Sequence, residues 1–226
     1  MKIVITVPHC KCPENYDPKK HDHTYHPCDW VARPVAEALK QKLEAKGYEV
    51  VIILGDKLRK TEVDLNRPEA RPTKFHERMH KELENADLLI DCHSFPKDSE
   101  KYQKWELVIF QSPYDNLNTA FLLYKILKNL GLSVAFKPAF SRDSILNDAA
   151  KNRHLSVLIE HNEDLDIDML TDFEVEAIDE FLTKVKSKMG IVLQVIKETV
   201  PMKKKNPKNF IEEMWLLEDT TKKLGQ

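Results

Sequence analysis

The chain has 226 residues, 42% hydrophobic and 32% charged, with a net charge of -2. That length suits one domain able to bury a full core. The near-neutral charge leaves no electrostatic footprint for nucleic acid, and the apolar runs are too short to cross a bilayer. MKIVITVP lacks the long apolar stretch of a signal peptide, so a cytoplasmic setting is expected, with the four cysteines as thiols rather than a disulfide framework. Only five glycines occur, and no GxGxxG or P-loop pattern supports nucleotide binding.

Lys2 to Val7 is β-branched and continuously apolar, the pattern of a strand buried on both faces. A loop dense in Pro, Asp, Lys and His runs from Pro8 to Pro27, and loops of that length in a compact domain are usually functional. From Trp30 to Lys46 the residues Val31, Val35, Ala38, Leu39 and Leu43 form one helical stripe, with Gly47 as the stop. Tyr48 to Leu54 is the second strand. Lys57 to Arg71 carries a short strand and the run DLNRP, followed by a helix from Thr73 to Asn85 and a third buried strand from Ala86 to Cys92. Further on come a strand (Trp105 to Gln111), a helix ended by Gly131 (Asn116 to Leu130), and a strand (Leu132 to Lys137). A short helix (Asp143 to Asn152), a last strand (His154 to His161) and a helix from Thr171 to Met189 complete the domain. This alternation predicts an α/β fold with a mostly parallel sheet covered on both faces. The domain is expected over 1–200, and 201–226 reads as a basic linker, PMKKKNPK, with an apolar tail, FIEEMWLL, that docks on the domain or meets a partner.

Histidines and carboxylates gather where these strands end. His9 follows MKIVITVP, Asp29 sits in HPCDW, His93 closes ADLLIDCHS and Glu160 closes LSVLIE. The carboxyl ends of strands are where an open α/β sheet binds ligands. Two imidazoles and a carboxylate make a three-ligand zinc site with one open position, the arrangement that activates a water, and Glu160 is then a general base. Each residue also has a structural use. Either histidine can simply hydrogen-bond locally, Asp29 can cap the helix starting at Trp30, and Glu160 can pair with Arg142 or Arg153. Asp91 shares a strand face with His93 and can orient it. Asn66 and Arg67 in DLNRP can grip a substrate carboxylate or merely form a turn before Pro68. A competing structural zinc site would use Cys10, Cys12, His21, His23, His26 and Cys28, whose spacing matches no paired zinc motif.

Together VPHC, CDW, DLNRP, DCHS and the late strand ending in glutamate resemble the N-formylglutamate amidohydrolase family. That family shows PHSG, TDW, DLNR, LDxHS and a late glutamate strand in the same order, over roughly residues 1 to 165 here. The resemblance implies a phosphorylase/hydrolase-like three-layer αβα sandwich with a mixed, mostly parallel central sheet and one zinc ion (Zn2+) per chain. It implies His9, Asp29 and His93 as zinc ligands, Glu160 as the base, and Asn66 and Arg67 as contacts to a substrate carboxylate. Arg67 or Arg142 would steady the developing oxyanion beside the metal. The sequence departs from the family at Cys10 and Lys11, where it has serine and glycine. An arginine expected upstream of DLNR falls near Lys60, with Arg59 one position off. FKPAFSRDS replaces a glycine-rich stretch. The expected activity is zinc-dependent cleavage of an N-formyl or N-acyl amino acid or a similar small amide, with a small molecule or short peptide as substrate. A carboxypeptidase-like peptidase, or a non-catalytic binding protein that keeps the fold, are the alternatives.

Overall fold

A computed structural model describes residues 1–17, 26–96, 99 and 101–199, with side chains as far as 187. Its elements in chain order are β1 (Lys2–Val7), α1 (Ala32–Ala45), β2 (Glu49–Leu54), α2 (Lys74–Leu83), β3 (Leu88–Phe95) and β4 (Leu107–Gln111). They continue with α3 (Thr119–Asn129), β5 (Val134–Pro138), α4 (Ser144–Lys151), β6 (Ser156–Asn162) and α5 (Ile167–Thr199). The strands form one six-stranded sheet in the order β2-β1-β3-β6-β4-β5. Every pairing is parallel except β4 with β6. This is the mixed, mostly parallel sheet of a three-layer α/β fold. The chain divides into two compact units, Met1–Ala177 and Ile178–Gln226. The expected linker and tail at 201–226 lie outside the described residues. Among the described residues, no helix is long and apolar enough to cross a membrane.

Strand β3 is buried along its whole length: Leu88–Ile90 is apolar, and the buried polar residues Asp91, His93 and Ser94 follow. Side chains alternate between the two sheet faces. On one face Val4 and Leu89 pack with Phe75, Met79 and Leu83 of α2 and with Ile145 and Ala149 of α4. The same face carries Thr6 paired with Asp91, and His93 paired with Glu160, in register. A polar column thus stands on an otherwise apolar face, near the carboxyl ends of three strands.

The expected strand between Lys57 and Arg71 does not form. Pro68 lacks a backbone donor and has a fixed φ, so it starts a short 3-10 helix, Pro68–Ala70, instead. Strand β3 runs on to Phe95, which puts His93 inside the strand rather than after it.

The expectation of four thiols fails. Cys12 and Cys28 form a disulfide, with Cα atoms 5.1 Å apart, while Cys10 and Cys92 are free. The backbone N–H of Asp29 donates to the carbonyl of His9 at 2.9 Å, which folds the long loop back on itself and brings the two sulfurs together. Disulfide sulfurs are not thiolate ligands, so the Cys/His zinc site loses two of its donors. His21 and His23 of that set lie outside the described residues.

Two features of the scaffold set the position of the candidate site. Gly55 donates its N–H to Val7 O at 2.9 Å, and a Cβ there would stand 2.0 Å from the carbonyl oxygen of Pro8. Only glycine allows that approach. His161 is wholly buried on β6; its Nδ1–H donates to the His93 carbonyl at 2.8 Å, and Nε2–H donates to Glu174 Oε1 at 3.0 Å. With both nitrogens donating, the ring is an imidazolium. Burial opposes that charge, but Glu174 outweighs it and holds the His161 pKa well above its ordinary value.

Replacing Glu174 with Gln should destabilise the protein by about 3–5 kcal/mol in urea unfolding at neutral pH, because it strands a buried charge. The folded-state pKa of His161 is raised, so its contribution is fully present below about pH 6.5 and is lost as pH rises through the folded value. The gap between wild type and variant should therefore narrow at alkaline pH. Gly55→Ala should also disturb the Pro8–His9 segment, read as a lower melting temperature in a protein whose circular dichroism still shows the α/β fold.

Candidate metal centre

Three sequence-distant residues meet at the edge of the polar column. His9 leaves the end of β1, Asp29 precedes α1, and His93 projects from β3. One ligand atom of each lies within 4.8 Å of the others, and all three side chains are buried. Asp29 does not cap its helix: the N-cap position is Val31, and no side chain bonds there. Its carboxylate instead faces both imidazoles. Oδ2 lies 3.2 Å from His9 Nδ1 and 2.8 Å from His93 Nδ1. Burial alone would raise the Asp29 carboxyl, but the charges and hydrogen bonds of His9 and His93 hold it well below the usual carboxylate range.

The donor set suits a divalent cation. Asp29 Oδ1 is buried and has no hydrogen-bond partner among the described residues. Arg59 Nη1 and His26 Nδ1 stand 3.5 Å from it, in ion-pair range. A buried carboxylate oxygen without a hydrogen bond is costly unless cations compensate it. The outer nitrogens of the two imidazoles also face carboxylates. His9 Nε2 is 2.7 Å from Asp64 Oδ1, and His93 Nε2 is 3.2 Å from Asp91 Oδ2, in ion-pair range although Asp91 Oδ2 makes no hydrogen bond. Thr6 donates to the other Asp91 oxygen at 2.8 Å and fixes that carboxylate. Carboxylates behind metal-binding imidazoles set ring orientation and basicity.

His9 and His93 open onto a cavity also lined by Arg59, Asn66, Arg67, Phe110, Phe140, Asp143, Leu158 and Glu160. Glu160 stands opposite His93 in the β3–β6 register, and its side chain makes no hydrogen bond or ion pair among the described residues. Burial pushes its carboxyl up to about 7, against the opposing charge of His93. Arg67 is held from two sides: Nη1 donates to Asp143 Oδ1 at 2.9 Å, and Nε lies 3.4 Å from Asp64 Oδ2. Asn66 is buried, with Oδ1 accepting from Ile145 N at 3.3 Å and Nδ2 3.4 Å from His93 Nε2. Arg142 is elsewhere. It is exposed, donates to Glu69 at 2.5 Å, and is not among the cavity residues.

The fold therefore gathers His9, Asp29, His93, Asn66, Arg67 and Glu160, and leaves Arg142 outside. Sequence reasoning missed two residues that the site contains. Asp64 begins DLNRP, so its place in that motif was a signal. Arg59 sits one position from where the family resemblance looked for an arginine, and it lies 3.5 Å from Asp29 and 3.7 Å from Asp64. Phe110, Phe140 and Leu158 form an apolar wall that no motif marked.

No protein-family model matches the chain, and no curated protein sequence does. Solved structures do. A gene product of Agrobacterium tumefaciens, Atu2144, superposes with a TM-score of 0.60 at 16% identity, covering 81% of this chain and 89% of that one. The catalytic domain of CwlV, an N-acetylmuramoyl-L-alanine amidase from Bacillus (Paenibacillus) polymyxa var. colistinus, gives 0.53 at 14% identity, covering 80% and 98%. The CwlD amidase from Clostridioides difficile, solved with the GerS lipoprotein, gives 0.51 at 18% identity, covering 80% and 98%. These likenesses are of fold.

If the three residues bind metal, His93→Ala should abolish binding at this centre by elemental analysis. Asp64→Asn should keep the ligands but weaken zinc affinity about 10–100-fold, measured by competition with a chromogenic chelator.

Proposed function

We propose that the chain is a zinc-dependent amidohydrolase, with His9, Asp29 and His93 holding one zinc ion and Glu160 serving as general base. The observation that carries this reading is the buried Asp29 carboxylate. It sits between two imidazoles, with its other oxygen accepting no hydrogen bond among the described residues, beside a cavity that a glutamate enters. The motif order shared with the N-formylglutamate amidohydrolases supports it. So does the fold shared with proteins named as amidases.

A zinc ion held by His9, Asp29 and His93 would supply Lewis-acid polarisation and a lowered pKa for a water. The chain's own residues do the rest. Glu160, raised by burial and unengaged by a partner, accepts a proton from water in the cavity and passes it to the leaving nitrogen. Asp64 and Asp91 keep the imidazoles in position. Arg67, clamped by Asp143, and Arg59 present guanidinium groups to the cavity for a substrate carboxylate or a developing oxyanion. In this role Arg59 replaces Arg142, which points away. The apolar wall of Phe110, Phe140 and Leu158 favours substrates with an apolar group near the scissile amide, such as N-acyl amino acids or short peptides.

The same wall beside two arginines supports a carboxypeptidase-like version, in which Arg59 and Arg67 grip a terminal carboxylate next to an apolar side chain.

Glu160→Gln should retain zinc and lose about 10²–10⁴-fold in kcat on a panel of N-formyl and N-acyl amino acids and short peptides. A wild-type protein that binds zinc yet turns over nothing on that panel would end the enzymatic reading. Amidating the peptide C-terminus should abolish cleavage in the carboxypeptidase version, and amidated peptides cleaved equally well would end that version.

A further inference from the structure

Outside the cavity, a second group of ligand-type residues forms where α2 meets α4. His76 and His80 are one turn apart on α2, on the same helix face, and Asp148 projects from α4. One ligand atom of each lies within 4.8 Å of the others. The two helices pack on the same sheet face around Phe75, Met79, Ile145 and Ala149, so their relative position is set by core packing.

The decisive feature is His76. It is completely buried, and its Nε2–H donates to the backbone carbonyl of Leu65 at 2.8 Å. That bond puts the proton on Nε2 and leaves Nδ1 with its lone pair. Nδ1 has no hydrogen-bond partner among the described residues. Native proteins rarely leave a buried imidazole nitrogen unpaired. Asp148 adds a negative charge, which Arg71 already engages through two bonds of 2.7 and 2.8 Å. Each carboxylate oxygen has a second lone pair, so Arg71 and a cation can share it. His80 is exposed and leaves one side of the group open to water.

We propose that His76, His80 and Asp148 form a second divalent-cation site, suited to zinc, that ties α2 to α4. Two imidazoles at i and i+4 of a helix with one carboxylate make a donor set zinc accepts, water completing the coordination from the His80 side. The carbonyl on His76 Nε2 plays the part that an outer-shell acceptor plays behind a metal-binding histidine. It belongs to Leu65, between Asp64 and Asn66, so the ion would brace the segment that reaches the catalytic cavity. Its role is structural.

The test uses the full chain, stripped with chelator and dialysed against zinc alone. Zinc per chain is then measured for wild type, His80→Ala, His93→Ala and the double variant. Because His80 is exposed, its replacement leaves the fold intact. The inference expects each single variant to lose one zinc relative to wild type, and zinc to raise the melting temperature of His93→Ala but not of the double variant. His80→Ala holding as much zinc as wild type, with the double variant melting like His93→Ala in zinc, would overturn it while leaving the His9–Asp29–His93 centre standing. Zinc lost in His80→Ala but unchanged in His93→Ala would support this site and remove the first.

Discussion

The molecule is organised around one buried carboxylate. Asp29 lies where a charge is expensive, and it is kept ionised because His9 and His93 approach the same oxygen. Desolvation works against this arrangement, so it persists only if the imidazoles are held from behind and the loop carrying Asp29 is held from the side. Both conditions are met. Asp64 and Asp91 stand behind the two rings. The Cys12–Cys28 bridge and the Asp29–His9 backbone bond close the loop that joins β1 to α1. The close approach of Gly55 to Pro8 and the tie from His161 to the His93 carbonyl serve the same end from the scaffold.

The sheet explains why the chemistry gathers at one place. Three adjacent parallel strands, β1, β3 and β6, bring Thr6, Asp91, His93 and Glu160 onto one face. The antiparallel β4 then sets Phe110 opposite Leu158, which supplies an apolar wall directly beside Glu160. That wall removes water from the glutamate, and the loss of water raises its pKa toward neutrality. A glutamate with that property and two arginines lining one cavity, with the His9–Asp29–His93 cluster at its side, follow from strand order more than from any one residue.

Much of this was legible in the chain. Short apolar runs marked the starts of β1, β3 and β6, because strands covered on both faces are built largely from apolar residues. The residues following those runs, His9, His93 and Glu160, could be placed at the sheet edge on that basis. What was not legible had a physical reason in each case. The short strand expected between Lys57 and Arg71 gives way to irregular chain and the 3-10 turn that Pro68 starts. The cysteines pair through a backbone contact that brings residues distant in sequence together, which no spacing rule encodes. Arg59 and Asp64 lie in a loop without periodicity, where side-chain direction depends on the elements around it.

The α/β class, the alternation of its elements and the chemical identity of the ligand-type residues are readable along the chain, because periodicity and residue type are local properties. It takes the folded molecule to place Asp29 against the imidazoles rather than at its own helix end, to bring Arg59 into the cavity and leave Arg142 out, and to join Cys12 to Cys28. Those outcomes depend on contacts between segments far apart in the chain, and on where burial makes an unpaired charge too costly to leave.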